Sequence, residues 1–262
     1  MQVLVITGGS SGIGRATAAL FARKGWRVYE LSRHQRTPID GVTHLDCDVT
    51  SEVQCGASIQ EVLQREQRID VLISNAGYGI SGPIEFTKTE DAKAMFDVNF
   101  FGALNITKAV LPQMRAQGGG RILFTSSVAA PLSVPFQSFY SASKAALNDL
   151  ALALQNEVRP FGIRVGVLMP GDVRTGFTDA RQKNQNAQED EVYARAKNAV
   201  EAMEKDERNG MQPEQMARIF YRMATRRYLP IYNVGGGLYR VFCFLDKILP
   251  KTFVNQIEGV MY

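Results

Sequence analysis

The sequence has 262 residues, of which 45% are hydrophobic and 21% are charged, with a formal net charge of +4 at pH 7. This length and composition predict a single domain over residues 1–262 with a sizeable apolar core. The small net charge is scattered along the chain and gives no support for nucleic-acid binding, although it suits an anionic small molecule.

Short apolar runs alternate with helix-like patterns from one end of the chain to the other. This alternation is typical of crossover units, and it predicts an α/β fold with a doubly wound parallel sheet and helices on both faces. Ligands bind such sheets at the carboxyl ends of the strands, so residues distant in sequence are expected to line one cleft. The predicted strands are residues 2–6, 26–31, 43–46, 69–73, 121–125, 163–168 and 228–234.

A glycine-rich segment, Thr7-Gly8-Gly9-Ser10-Ser11-Gly12-Ile13-Gly14, follows the first strand and leads into a helix-like stretch from Arg15 to Lys24. Small residues let a ligand approach the backbone, while free N–H groups and the dipole of the helix attract an anion. The segment therefore fits a phosphate site. A flexible turn would have the same composition, and this segment alone leaves both interpretations open.

Tyr140 and Lys144 lie four residues apart, and Ser127 precedes the tyrosine by thirteen residues. Residues four apart share one face of a helix, so the Lys144 ammonium can lower the pKa of the Tyr140 phenol. A tyrosine of pKa ~10 must lose about 3 units, roughly 4 kcal/mol, to act near neutrality, and one ammonium about 4 Å away supplies this at an effective dielectric near 20. The trio can protonate a carbonyl during hydride transfer. An exposed polar helix face is the alternative.

Together these motifs resemble those of the short-chain dehydrogenase/reductase family, over roughly residues 2–180 and in the family's order. The family's T-G-x-x-x-G-x-G motif is Thr7 to Gly14, its N-A-G motif is Asn75-Ala76-Gly77, and its P-G pair is Pro170-Gly171. The resemblance implies a Rossmann-type fold. It also implies an oxidoreductase that transfers hydride between a nicotinamide cofactor and a carbonyl or alcohol.

The resemblance assigns four catalytic residues. Ser127 and Tyr140 would donate a hydrogen bond and a proton to the substrate oxygen, and Lys144 would hold the nicotinamide ribose and keep Tyr140 acidic. Asn99 would hold a water molecule that links Lys144 to solvent, although an asparagine in a helix is also typical of a kink or of polar packing. The neighbouring Ser126 is expected to be structural.

The resemblance also assigns a cofactor site. Asp48 would accept a hydrogen bond from the adenine, which is compatible with a second role as a helix N-terminal acid, and Thr175 would bind the nicotinamide carboxamide. The full set is Gly8, Ser10, Ser11, Gly12, Ile13, Gly14, Ser32, Arg33, Asp48, Val49, Asn75, Ala76, Gly77, Tyr140, Lys144, Pro170, Gly171, Val173 and Thr175.

The residues after the second strand select between the two nicotinamide cofactors. Ser32 stands where the family usually has an aspartate for the ribose diol, and Arg33 follows it. A neutral residue followed by a guanidinium favours a 2′-phosphate, so NADP(H) is predicted in preference to NAD(H). A solvated surface arginine is the alternative. Ser11 stands where many NADP-dependent relatives carry a basic residue, and Glu30 is expected to be directed elsewhere.

Two segments are predicted to shape a substrate site for an apolar or lipid-like carbonyl compound. Residues 172–212 form a polar loop and helix with a weak apolar stripe of Ala194, Ala199, Ala202 and Met203. Residues 238–262 form a helical extension similar to the tails of relatives acting on steroids, retinoids and acyl-chain ketones. Its apolar stripe covers the core or a neighbouring subunit, forms a pocket wall, or contacts a membrane surface. That stripe is Leu238, Val241, Phe242, Leu245, Ile248 and Leu249.

Cysteine usage, segment lengths and analogy with the family give expectations about cellular location and oligomeric state. Three cysteines and two histidines without ligand spacing argue against a disulfide framework or a metal site, and a reducing cytoplasm fits them. The first strand follows the N-terminus directly and apolar stretches are short, so the chain is expected to be neither secreted nor membrane-spanning. A homodimer or homotetramer is expected by analogy, through apolar residues that can equally face the sheet. These residues are Phe100, Phe101, Leu147, Leu150, Leu152 and Leu154.

Two functions remain after these observations. The first is an NADPH-dependent carbonyl reductase. The second is an NADP(H)-binding sensor or scaffold without turnover. The retained serine, tyrosine and lysine favour the enzyme, because a sensor has no need of a proton donor beside the nicotinamide.

Overall fold

A seven-stranded parallel sheet forms the centre of the computed structural model, which describes residues 1–183 and 192–261. The strand order is β3-β2-β1-β4-β6-β7-β9, and a second, two-stranded sheet pairs β5 with β8. The strands are β1 (Val3–Thr7), β2 (Arg27–Ser32), β3 (Val42–Asp46), β4 (Val71–Ser74), β5 (Ile80–Ser81), β6 (Gly120–Thr125), β7 (Ile163–Pro170), β8 (Gln182–Lys183) and β9 (Tyr232–Gly235).

Helices cover both faces of the large sheet. A five-residue π-helix, Asp97–Phe101, joins two of them without a break. The α-helices are α1 (Gly12–Arg23), α2 (Glu52–Glu66), α3 (Thr89–Phe96), α4 (Gly102–Ala116), α5 (Ser138–Val158), α6 (Ala194–Arg208), α7 (Pro213–Thr225), α8 (Gly237–Ile248) and α9 (Lys251–Met261).

The predicted α/β architecture is confirmed, and each of the seven predicted strands overlaps one in the large sheet. Most boundaries differ by one or two residues, and two starting points differ by more. The last strand begins at Tyr232 instead of residue 228, because Tyr228 is exposed and the pairing with β7 starts only after Pro230. The first helix begins inside the glycine segment at Gly12 instead of at Arg15. The pair β5 and β8 was not predicted, since strands of two residues carry no periodic signal.

Two apolar layers sandwich the sheet. On one face α2, α4 and α5 pack against inward side chains such as Val5, Leu72 and Phe124. On the other face α1 and α7 pack together over Leu4 and Ile6. Because both faces are covered, β1 is buried along its whole length, as its unbroken apolar sequence predicts.

Strand order reverses between β1 and β4, which are neighbours at the centre of the sheet. From β1 the chain proceeds outward through β2 and β3, then returns to add β4, β6, β7 and β9 on the other side. The loops after β1 and β4 therefore separate, leaving a crevice at the carboxyl ends of these strands.

The C-terminal extension consists of two helices where one was predicted. The chain leaves the helical conformation at Leu249, and Pro250 precedes α9, because a proline supplies no N–H to continue a helix. None of the described helices is both long enough and apolar enough to cross a membrane.

The apolar residues proposed for subunit contact divide between two environments. Leu147 and Leu154 belong to the core beneath α5, so they face the sheet. Phe101 and Leu152 are exposed and remain available to a partner. The expected homodimer or homotetramer stays a prediction.

A substitution of Phe220, on the inner face of α7, tests the packing of α7 against α1 and the sheet. Its side chain is fully buried, and we expect Phe220→Ala to lower the free energy of unfolding by about 3–5 kcal/mol through lost burial and a residual cavity. Urea unfolding measures this loss. Tyr228→Ala, at an exposed position, is the control and is expected to change stability by less than about 0.5 kcal/mol. Similar effects of the two substitutions would contradict this packing.

Candidate active site

A cleft of about 1560 Å³ opens at the carboxyl ends of the sheet strands. The predicted site residues line it, with the exception of Gly14 and Asn99, which lie behind its surface. Those at the surface are Gly8, Ser10, Ser11, Gly12, Ile13, Ser32, Arg33, Asp48, Val49, Asn75, Ala76, Gly77, Ser127, Tyr140, Lys144, Pro170, Gly171, Val173 and Thr175.

The glycine segment fits the phosphates of a dinucleotide. Gly8 and Gly12 have φ angles of +64° and +52°, in the region that favours glycine. A Cβ atom on Gly14 would lie 2.3 Å from the carbonyl oxygen of Gly8, so the first turn of α1 can approach the strand only without a side chain there. Ser11 makes no side-chain cap, which leaves the first N–H groups of this 12-residue helix for an anion.

Asn75 fixes the crevice by bonding the ends of three strands. Its backbone N–H donates to Thr7 Oγ1 at 2.9 Å, and its side-chain amide donates to the carbonyl oxygens of Thr7 and Gly8 at 3.1 and 3.3 Å. Its Oδ1 accepts from Thr125 Oγ1 at 3.0 Å. The asparagine of the N-A-G motif therefore links the ends of β1, β4 and β6. Thr7 and Thr125, its partners, were not predicted as site residues.

The end of β2 carries positive charge toward the cleft. Arg33 lines the cleft as predicted, and His34 and Arg36 join it there. Glu30 is buried and bonded to His44 Nδ1, whose other ring nitrogen lies 2.9 Å from Asp46 Oδ1. Burial opposes a charge on His44, but bonds to the two carboxylates raise its pKa.

Asp48 lies both at the cleft and in the turn before α2, and its bond to the adenine stays a prediction. It lines the cleft, and its Oδ1 accepts hydrogen bonds from the backbone N–H and hydroxyl of Thr50 at 2.9 and 2.8 Å. The cap of α2 itself is Ser51, which accepts from the Gln54 N–H. Asp48 thus orders the turn before the helix without being its cap residue.

The first turns of α5 bring Tyr140 and Lys144 to one buried face. Lys144 Nζ donates to the carbonyl oxygen of Thr125 at 2.9 Å and lies 5.8 Å from the centre of the Tyr140 ring. The buried hydroxyl of Ser126 donates to the Lys144 carbonyl oxygen at 3.2 Å, in agreement with the structural role predicted for it. Ser127 faces the cleft beside Tyr140.

The predicted lowering of the Tyr140 pKa by Lys144 is wrong for the protein alone. Burial raises the pKa of Tyr140 to about 12, against the opposing hydrogen bond of Ser127. Burial also lowers the pKa of Lys144 to about 8. The prediction weighed the ammonium charge but not the loss of hydration, which disfavours both charged forms when the pair lies inside the protein.

Asn99 lies in the π-helix and is almost completely buried. Its amide pairs with the backbone of Tyr78 through two hydrogen bonds of 3.0 Å and donates to Ser143 Oγ at 3.1 Å. The polar packing considered for this residue is therefore present. Gly77 separates Asn99 from Lys144, since a Cβ atom there would lie 2.8 Å from Asn99 Oδ1 and 3.3 Å from Lys144 Nζ.

The loop after β7 packs directly on Tyr140. The ring of Phe177 lies 5.6 Å from that of Tyr140, and the small sheet of β5 and β8 holds this loop through the bond from Gln182 N–H to the Gly79 carbonyl. Buried Arg181 pairs with Glu207 of α6. The polar segment is thus anchored on both sides of residues 184–191, which lie outside the described part of the chain.

The inner stripe of α6 differs from the predicted one. Ala199 and Met203 are buried as expected, whereas Ala194 and Ala202 are exposed. Ala196 completes the buried set, because residues 196, 199 and 203 follow the spacing of one helix face. Met203 reaches the cleft.

The C-terminal helices form a wall of the cleft, one of the three roles considered for their apolar stripe. The ring of Tyr239 lies over Gly171, where a Cβ atom would be 2.1 Å from Tyr239 Cδ2. Val241 and Ile248 instead face solvent. Cleft-lining apolar residues of α8 and α9, most of them predicted only as members of a stripe, are Leu238, Phe242, Leu245, Val254 and Ile257, with Leu249 between the helices.

A family model described as short chain dehydrogenase matches residues 2–186. The chain belongs to the short-chain dehydrogenase/reductase family. A 3-ketodihydrosphingosine reductase of Bacteroides thetaiotaomicron is 38% identical over 100% of this chain and 98% of the relative. As a family member, the protein is an oxidoreductase that binds a nicotinamide cofactor and acts on CH–OH or C=O groups.

Solved structures show the same fold. A short-chain dehydrogenase from Streptomyces avermitilis has a TM-score of 0.82 and 31% identity, covering 99% of this chain and 96% of that one. A family member from Burkholderia phymatum in complex with NAD has a TM-score of 0.81 and 26% identity, covering 93% and 92%. The agreement extends beyond the matched family segment into the C-terminal helices.

Lys144→Met is expected to stabilise the fold. The lysine pKa is about 8 in the folded protein and ~10.4 unfolded, so the folded state bears the full cost of the buried charge below pH 8 and loses it as pH approaches 10.4. After allowance for the lost bond to Thr125, we expect the variant to gain about 2 kcal/mol at pH 7 and less at pH 9.

Urea unfolding at the two pH values measures this difference. Lys197→Met, at an exposed position on α6, serves as the control and is expected to show no such dependence on pH. A Lys144→Met variant that is less stable than the wild type at pH 7, or whose advantage grows toward pH 9, would contradict the assigned pKa.

Proposed function

We propose that the protein is an NADPH-dependent reductase of an apolar, long-chain carbonyl compound. The observation that carries this proposal is the meeting of Ser127, Tyr140 and Lys144 in a cleft whose far wall consists of apolar side chains from α8 and α9. Proton donors for a carbonyl oxygen and a surface for a hydrocarbon chain therefore share one continuous space.

The bound dinucleotide supplies the hydride for the carbonyl carbon. As negative charge develops on the substrate oxygen, the Ser127 hydroxyl donates a hydrogen bond and the Tyr140 hydroxyl donates its proton. Lys144, held by the Thr125 carbonyl, orients the nicotinamide ribose beside the tyrosine. Asn99 holds the Tyr78 backbone behind Gly77, and in its proposed role it would also hold a water molecule that returns the proton to Lys144 from solvent.

The high pKa of Tyr140 in the protein alone favours the neutral phenol, which is the form that donates a proton during reduction. In the opposite direction the tyrosine would have to act as a base. The same groups serve reduction and alcohol oxidation, so the direction depends on the ratio of reduced to oxidised cofactor.

The choice of NADPH rests on the charge at the end of β2. Arg33, His34 and Arg36 all line the cleft there, and Ser32 leaves no carboxylate in the position that would bind a ribose diol. A guanidinium suits a 2′-phosphate through paired, charge-assisted hydrogen bonds. NAD(H), the ligand of the Burkholderia relative, is the alternative.

Arg33→Ala tests the cofactor choice. We expect the variant to bind NADPH at least tenfold more weakly, because a charge-assisted bond is lost, while NADH binding changes little. Fluorescence titration of each reduced cofactor gives the two dissociation constants. Arg218→Ala, an exposed arginine on α7, is the control. Equal losses for the two cofactors would remove Arg33 from a 2′-phosphate site.

The substrate proposal draws on a relative and on the cleft together. The Bacteroides relative is named as a reductase of 3-ketodihydrosphingosine, a long-chain ketone, and matches this protein along its full length. In this chain the cleft beyond Tyr140 contains Leu132, Val134 and Met203 in addition to the helical wall. These side chains provide apolar surface for a chain attached to the carbonyl carbon.

Tyr140→Phe tests the reaction. Removal of the hydroxyl is expected to lower kcat with a long-chain 3-ketone by about 100-fold to 10,000-fold and to leave NADPH affinity nearly intact, since the proton donor is lost but the cleft is not. NADPH oxidation, followed by absorbance, reports the rate. The matched control is Tyr29→Phe, which removes a hydroxyl bonded to Glu66 away from the cleft. Substantial turnover by the Tyr140 variant would exclude this mechanism.

Three further proposals rest on the same cleft and on the family. Exposed apolar residues Val241, Phe244 and Ile248 continue outward from Leu245, which is itself partly exposed and lines the cleft, and this supports peripheral contact with a membrane that holds lipid-like substrates. A homodimer or homotetramer is proposed by analogy with the family, and a cytoplasmic location is proposed from cysteine usage.

A binding protein without turnover is the alternative function, and the complete proton-donor set disfavours it.

A further inference from the structure

The two ends of the cleft carry opposite charge. Basic side chains lie at the end of β2, where the cofactor is proposed to bind. On the elements that follow β7, by contrast, five carboxylates line the cleft, and no lysine, arginine or histidine from the described residues of these elements joins them. The five are Asp172, Asp206, Glu207, Asp246 and Glu258.

Three of these carboxylates have partners within the protein. Asp172 accepts a hydrogen bond from the Tyr239 hydroxyl. Glu207 accepts from Thr178 at 2.7 Å and pairs with Arg181. Asp246 pairs with Lys251 Nζ at 2.5 Å. A fourth, Asp206, is exposed and is hydrated by solvent.

Glu258 differs from the other four. Its side chain, on α9, is only 8% exposed, and its Oε1 atom has no hydrogen-bond partner among the described residues. Asp246, which is also 8% exposed, lies close enough that its charge acts on Glu258. Leaving a buried carboxylate oxygen unpaired is costly, so such an atom at a cleft surface indicates a missing partner.

We propose that Glu258, together with Asp246, forms a subsite for an ammonium group carried by the substrate. This inference rests on the proposed reduction of a long-chain carbonyl compound and narrows its substrate to a long-chain amino ketone. The single ammonium of Lys251 faces two buried carboxylates, and a substrate cation supplies the charge that the pair lacks.

The surroundings of Glu258 suit an amphiphilic cation. Val254 and Ile257 line the cleft next to it on α9, so a hydrocarbon chain and an ammonium can bind side by side. Lys251 Nζ lies 3.4 Å from the carbonyl oxygen of Pro131, which places the start of α9 against the loop that follows Ser127. The subsite therefore adjoins the catalytic end of the cleft.

The electrostatics of the subsite agree with this assignment. Burial and the neighbouring Asp246 raise the pKa of Glu258, and Lys251 opposes them only in part. A second cation within hydrogen-bond distance would relieve the excess negative charge and favour the ionised carboxylate.

A pair of matched substrates tests the subsite. The first is a saturated long-chain 2-amino-3-ketone, and the second is the 3-ketone of the same chain length without the amine. We expect the wild type to prefer the amine, and Glu258→Gln to lower the ratio of the two kcat/KM values about tenfold or more, because a charge-assisted bond is replaced by a neutral one. Glu201→Gln, at an exposed position on α6, should leave the ratio unchanged.

Equal kcat/KM values of the wild type for the two ketones, or an unchanged ratio in Glu258→Gln, would overturn the subsite while leaving the reductase proposal intact. Absence of turnover with both ketones would overturn the proposed substrate class instead. The subsite is then judged by calorimetry with NADPH-loaded protein: dodecylamine should bind more tightly than dodecanol to the wild type and lose this advantage in Glu258→Gln. Equal binding of the two ligands to the wild type would refute it.

Discussion

The close approach of the first turn of α1 to the ends of β1 and β4 is the constraint on which the rest of the site depends. Gly14 permits this contact because no side chain separates it from the Gly8 carbonyl, and the Asn75 amide then bonds the same carbonyl. Asn75 also accepts from Thr125 on β6, whose carbonyl oxygen holds Lys144. One chain of hydrogen bonds therefore joins the glycine segment at one end of the cleft to Lys144 at the other.

Burial of Tyr140 and Lys144 carries a desolvation cost in the protein alone. Hydration is lost by both Tyr140 and Lys144, and each is driven toward its neutral form. A bound cofactor and substrate would place polar and charged groups around this pair, and these groups would change both pKa values. Functional sites commonly carry such a local loss of stability.

Much of the fold and of the cofactor site could be predicted from the sequence, because both depend on local patterns. Apolar runs identified the seven main strands, and the glycine segment and the Tyr140 to Lys144 spacing located the site. The predictions failed where contacts between residues distant in sequence determine the structure. The partners of Asn75, the position of Glu258 in the cleft and the pKa of Tyr140 all depend on burial by residues far away in sequence. Pro250 did carry a local signal for two helices, which the regular apolar spacing around it obscured.

The residues proposed for proton donation and the residues of the apolar cleft wall come from different parts of the chain. Every residue of the proposed proton-donor set precedes β7, whereas the wall formed by α8 and α9 comes after the last strand. Tyr239 packs on Gly171, so the two parts meet at the segment proposed to hold the nicotinamide. In evolution, the tail can therefore diversify to accept new molecules while the reaction is conserved, provided that an aromatic ring or similar group still covers Gly171.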